Sequence, residues 1–145
     1  MHALKGLKGL LWFIAGYQFV VGALLLLTPA LAQMVVGFYG SDAQVTEQFT
    51  FILKPLGAYM IMTGLIASAA ARADVPHPAI VTALIVLFTI NVLYRVVRFD
   101  YIQTTFGIPA WHLFGQIVIL AALAIGLFAL SRGAIKATGA AAGDR

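Results

Sequence analysis

The chain has 145 residues, no cysteine and a formal charge of +4 at pH 7. With 62% hydrophobic and only 10% charged residues and a mean hydropathy of +0.99, it lies outside the soluble globular range, because so small a domain has too little interior to bury that much apolar surface. The missing thiols exclude disulfides, thiolate metal sites, iron–sulfur clusters and covalently attached c-type haem, and the scatter of basic residues in ones and twos at the ends of apolar runs is a pattern of membrane topology rather than of nucleic-acid contact.

The first apolar run, about Leu7 to Thr28, is long enough to cross the hydrocarbon core, which needs roughly 20 residues. Its opening, KGLKGLLWFIAGYQFVVGALLLLTPALAQ, resembles a secretory signal with a cleavage-like Ala30-Leu31-Ala32 triplet. The run is long for a signal, and it is read as the first transmembrane helix. Gln18, near its middle beside Tyr17, is expected to form an interhelical hydrogen bond. After Pro29 comes a long link to Thr50 whose first part, Ala30 to Tyr39, is apolar. That part either extends the first helix past a proline kink or lies along the interface.

Beyond the Gly40-Ser41-Asp42 breaker, the second run covers about Phe51 to Ala71, with Lys54 near its start. Gly57, Gly64 and Ser68 here, like Gly9, Gly16 and Gly22 in the first run, would let helices approach closely. Pro76-His77-Pro78 separates it from the third run, about Ala79 to Phe99, and Gly107-Ile108-Pro109 precedes the fourth, about Ala110 to Leu130. The tail KATGAAAGDR is expected to fray. Because lipid offers no partners to open backbone, the fold class is all-α, an antiparallel bundle of four transmembrane helices. Lys5, Lys8, Arg72, Arg132, Lys136 and Arg145 fall at the termini or in the second link, against Lys54, Arg95 and Arg98 at the other face, so both termini are expected in the cytoplasm. Trp12, Trp111, Tyr101 and Tyr39 read as interfacial belt residues.

Polarity gathers between Asn91 and Gln116. Asn91, Arg95 and Arg98 share one face of the third helix, with Tyr94 beside them; His112 and Gln116 are four apart on the fourth, and Lys54 reaches the same outer level from the second. A charge inside a span costs roughly 2.5–3.5 kcal/mol on insertion scales, and two readings of the compensation are open. In one, Lys54 and Arg98 snorkel to the headgroups while Arg95 pairs with Asp100, Glu47 or backbone carbonyls. In the other, Lys54, Asn91, Arg95, His112 and Gln116 line a cavity for an anionic or carbonyl-bearing ligand: a lipid headgroup, a quinone ring or a carboxylate metabolite. His2 and His77 belong to the cytoplasmic side and His112 to the outer side, and no two are poised at one depth on facing helices, which argues against a bis-histidine haem; His112 is a candidate ligand for a pigment magnesium. There is no nucleophile elbow, phosphate loop, HExxH run or intramembrane carboxylate pair, and no catalytic or metal-binding residue is assigned.

At Lys54-Pro55-Leu56-Gly57 followed by Gly64, and again at Tyr94-Arg95 and Gly107-Ile108-Pro109, the chain resembles the DoxX-like superfamily of small bacterial four-helix membrane proteins over nearly its whole length. The resemblance implies a multi-pass protein of the bacterial inner membrane and, in some relatives, a membrane subunit of quinone-dependent redox enzymes. No catalytic residue carries over. The expected function is therefore an accessory or scaffolding subunit of a larger membrane complex, with membrane lipids, other integral subunits or further copies of itself as partners. The alternative is a binder or enzyme for a quinone-like or other lipid-soluble ligand, with quinone or bound lipid as its cofactor.

Overall fold

Apolar runs without water must satisfy their backbone internally, and they do so as helices. The computed structural model describes residues 2–143, with side chains described through Ala134. It contains α1 (His2–Leu27), α2 (Pro29–Phe38), α3 (Glu47–Arg72), α4 (Pro78–Val97), α5 (Phe99–Phe106) and α6 (Ala110–Gly143), and no strand among the described residues. Four of these, α1, α3, α4 and α6, are long and apolar enough to cross a membrane, the make-up of a multi-pass membrane protein.

The first link does not prolong α1. Thr28 adopts extended angles (φ −143°, ψ 153°), its hydroxyl accepts from the Leu31 amide at 3.2 Å, and Pro29 occupies the first turn, so a new helix begins there. Tyr17 and Tyr39 are joined hydroxyl to hydroxyl although 22 residues apart. A continuous helix would hold their backbones about 33 Å apart. Therefore α2 folds back along α1, burying Ala32, Val35 and Val36 against Val21, Leu25, Leu53 and Met60.

Other boundaries shift for local reasons. Thr46 caps α3 through the Phe49 amide, starting it four residues before the apolar run, and Pro55 is carried inside it. The third span ends at Val97, where Arg98 (φ −105°, ψ 21°) turns the chain into α5, which Gly107 closes at φ +64°. The tail expected to fray continues α6 to Gly143, as its alanine content favours. Asp144 and Arg145 lie outside the described residues.

The spans form an up-and-down ring: α1 packs on α3 and α6, α6 on α4, and α3 on α4, while the backbones of the diagonal pairs, α1 with α4 and α3 with α6, do not approach. At the end that holds the termini, one core unites all four around Leu7, Leu11, Ile14, Ala67, Leu84, Phe88 and Leu127. Towards the other end it divides into an α1–α2–α3 cluster and a small cluster around Ile102, Ile108 and Leu113. Large apolar side chains such as Phe51, Val97 and Trp111, each at least 73% exposed, point away from the bundle, as lipid allows.

Candidate functional site

On α4 the core stripe runs Val81, Leu84, Phe88 and then continues at the same spacing into Asn91 and Arg95. The stripe thus turns polar where the common core ends. The Arg95 guanidinium donates from Nη1 to Asn91 Oδ1 at 3.1 Å and to the Asn91 carbonyl at 3.3 Å, and from Nε to Gln116 Oε1 on α6 at 3.4 Å. Gln116 Nε2 in turn donates to the Tyr39 carbonyl at 3.0 Å, while Asn91 Nδ2 donates to the Leu87 carbonyl at 2.9 Å. Two helices, α4 and α6, and the end of α2 are therefore stitched through one cation.

The link after α2 is held so that Tyr39 can accept this bond. Gln33 clamps it through the Ala43 carbonyl (3.1 Å) and the Val45 amide (2.8 Å), and Ser41 donates to the Phe106 carbonyl at 2.6 Å. Gly40 makes the turn at φ +81°, and a Cβ there would come within 2.7 Å of His112 Nδ1. Gly40→Ala is accordingly expected to cost about 1–3 kcal/mol, read as a lowered melting temperature in detergent; an unchanged melt would show that the turn is not strained against His112.

Of the sequence-predicted residues, Asn91, Arg95 and Gln116 come together. His112 lies beside them, its ring packed against Gly40 and Trp111 (ring centroids 4.7 Å apart) and without a side-chain hydrogen bond. Lys54 is exposed on α3 and joins none of them. Arg95 pairs with neither Asp100 nor Glu47, and no ion pair forms among the described residues. The expected interhelical bond of Gln18 is absent as well: the residue is 8% exposed, its Oε1 is sealed without a partner, and its amide nitrogen makes no hydrogen bond. Sequence reasoning placed Tyr39 in an interfacial belt and missed its carbonyl as the acceptor of Gln116; the only hint was the Gly40-Ser41 turn signal that follows it.

Two electrostatic facts define what this arrangement can do. Arg95 keeps its charge at any ordinary pH, yet every acceptor it meets is neutral. Its Nη2 makes no bond and is not sealed, so one edge of the guanidinium remains open to an incoming oxygen. Gln18 belongs to the same layer. Ala3 lies against Gly133, Gly6 against Leu130 and Leu10 against Gly126, with contacts of 3.0–3.2 Å from the glycine Cβ positions. That antiparallel register sets residue 20 of α1 level with Gln116, leaving Gln18 about 3 Å further in. It sits on the core stripe of α1, diagonal to α4. No family model matches this chain, and neither the curated proteins nor the solved structures contain a match.

Proposed function

We propose that this is an integral membrane binding protein whose buried polar layer holds the oxygen-bearing head of a lipid-soluble molecule. The carrying observation is the open edge of the Arg95 guanidinium, a cation inside a span with no acidic partner. Such a charge is stabilised by an anionic or strongly polarised oxygen, which makes a carboxylate, a phosphate ester or a quinone-type carbonyl the fitting head groups. The unpartnered Gln18 amide supports the same reading, since a buried polar group without a bond costs free energy that a ligand hydroxyl, amide or accompanying water would recover. Asn91 and Gln116 orient the cation, and His112 stands one turn along α6 as a further polar neighbour.

Extraction in mild detergent followed by native mass spectrometry tests this. Wild-type protein is expected to carry an additional defined mass that is lost in Arg95→Ala and in Gln18→Leu. Gln18→Leu is also expected to raise the stability of the ligand-free protein by about 1–3 kcal/mol, since it removes an unsatisfied buried group. Wild-type spectra holding only exchangeable bulk lipid would overturn the proposal.

A second reading, an accessory subunit of a larger membrane complex, is favoured by the flank between α4 and α6. An apolar groove of about 180 Å³ runs there, lined by Thr89, Val92, Leu93, Ala121, Ala124 and Ile125. Its alanines leave room for a partner helix, from another subunit or a second copy. Copurification of a stoichiometric partner that Ala121→Phe displaces would establish it. Either role fits the proposed kinship with DoxX-like proteins and a bacterial inner membrane, with the termini on the cytoplasmic side as the basic residues favour.

A further inference from the structure

The seam between α1 and α3 is set by glycines at heptad spacing. A Cβ on Gly22 would lie 2.7 Å from the Gly57 carbonyl, and one on Gly64 would lie 3.2 Å from that of Ala15. Seven residues separate Gly22 from Ala15, and seven separate Gly57 from Gly64. The same step once more along this antiparallel pair brings Lys8 level with Ala71 and Arg72, at the end of the bundle that holds the termini. Arg72 lies over the Trp12 indole, its guanidinium carbon 5.7 Å from the ring centroid, and Trp12 is one turn from Lys8 on the same face of α1. Lys8 is half-buried, yet neither its side chain nor that of Arg72 has a hydrogen bond or an ion pair; Asp74, two residues beyond Arg72, is exposed and bonded to neither. Two cations from different helices are thus held level across a rigid seam with nothing to neutralise them.

We propose that this seam is a binding site for one anionic phospholipid, with Lys8 and Arg72 on its phosphate and Trp12 at the boundary between headgroup and acyl chain. The indole immobilises one face of the Arg72 guanidinium and leaves its edge donors for phosphate oxygens. Beneath Trp12 the same flank continues through Gly16, whose Cβ position has nothing within 4 Å, and through exposed Leu65, two turns from Arg72 on α3. That opening accommodates an acyl chain. Basic pockets between transmembrane helices are where anionic headgroups bind, each cation adding to the attraction. The site lies at the opposite end of the molecule from the Arg95 layer and stands independently of the ligand proposed there.

The test uses the full-length protein in detergent, titrated with phosphatidylglycerol or phosphatidylcholine of matched chains and read by native mass spectrometry. Wild type is expected to retain one phosphatidylglycerol at least roughly tenfold better than phosphatidylcholine, the order of gain two cations supply. The Lys8→Gln/Arg72→Gln double variant is expected to lose that preference. Arg132→Gln, which removes one positive charge at the same end where Arg132 lies over Phe128, is expected to keep it. Equal retention by the double variant, or an equal loss in Arg132→Gln, overturns the site, as does displacement of the lipid by excess inorganic phosphate. Should the double variant not fold, a rise in wild-type melting temperature with phosphatidylglycerol but not with phosphatidylcholine, weakened in Arg72→Lys, supports the site. The same rise with both lipids overturns it.

Discussion

Gly57→Val is expected to lower the stability of this protein by about 3 kcal/mol or more. A Cβ at Gly57 would meet the Gly22 carbonyl at 2.8 Å, Leu25 Cβ at 3.0 Å and Leu26 Cγ at 3.1 Å. The first of these is backbone and cannot rotate aside, so α1 and α3 must separate along a seam that both clusters of the core share. In a membrane there is no hydrophobic drive to close that gap again, because lipid tails solvate the exposed faces as well as the partner helix did. The measurement is the detergent or SDS fraction at the unfolding midpoint. Gly16→Ala, where nothing lies within 4 Å of the new atom, is the control: it is expected to leave the midpoint unchanged or raise it slightly through better helix propensity. A midpoint for Gly57→Val equal to that control would mean the close approach contributes nothing.

Gln116→Leu is expected to cost about 2 kcal/mol and to loosen the α2 end from the bundle, since it leaves both the Arg95 Nε and the Tyr39 carbonyl without their partner. Gln116→Glu separates the two consequences. It gives Arg95 an internal carboxylate, which satisfies the cation, but it removes the donor to Tyr39. The expected outcome is a protein at least as stable as Gln116→Leu that no longer retains an anionic ligand, because its guanidinium is already paired. Melting temperature and bound mass, measured on both variants, decide the matter. Undiminished ligand retention in Gln116→Glu would show that the ligand does not engage Arg95.

The polar residues were legible because they interrupt strong apolar runs: Asn91, Arg95 and Gln116 stand out at helical spacing, and their shared depth follows from the antiparallel order of the spans. Lys54 stood out equally, and its depth says nothing about direction; it lies exposed on α3, whose backbone does not approach that of α6. In the same way, Gln18 announced a buried amide, but an amide in a sequence does not reveal whether a partner waits across the seam. The return of α2 along α1 was beyond reach, since Pro29 after an apolar run is compatible with a kink, a surface helix or a reversal.

The sequence by itself determined the solvent, the number of spans, their alternating direction and the level of each polar group, since all four follow from hydropathy, length and helical period. Tertiary structure alone decided which helices are neighbours, which way each polar side chain turns and which of them remain unpaired. The physical reason is that apolar faces are nearly interchangeable in lipid. The ring order is chosen by close fits such as Gly22 on Gly57 and by the few bonds that cross seams, and those depend on residues far apart in the chain.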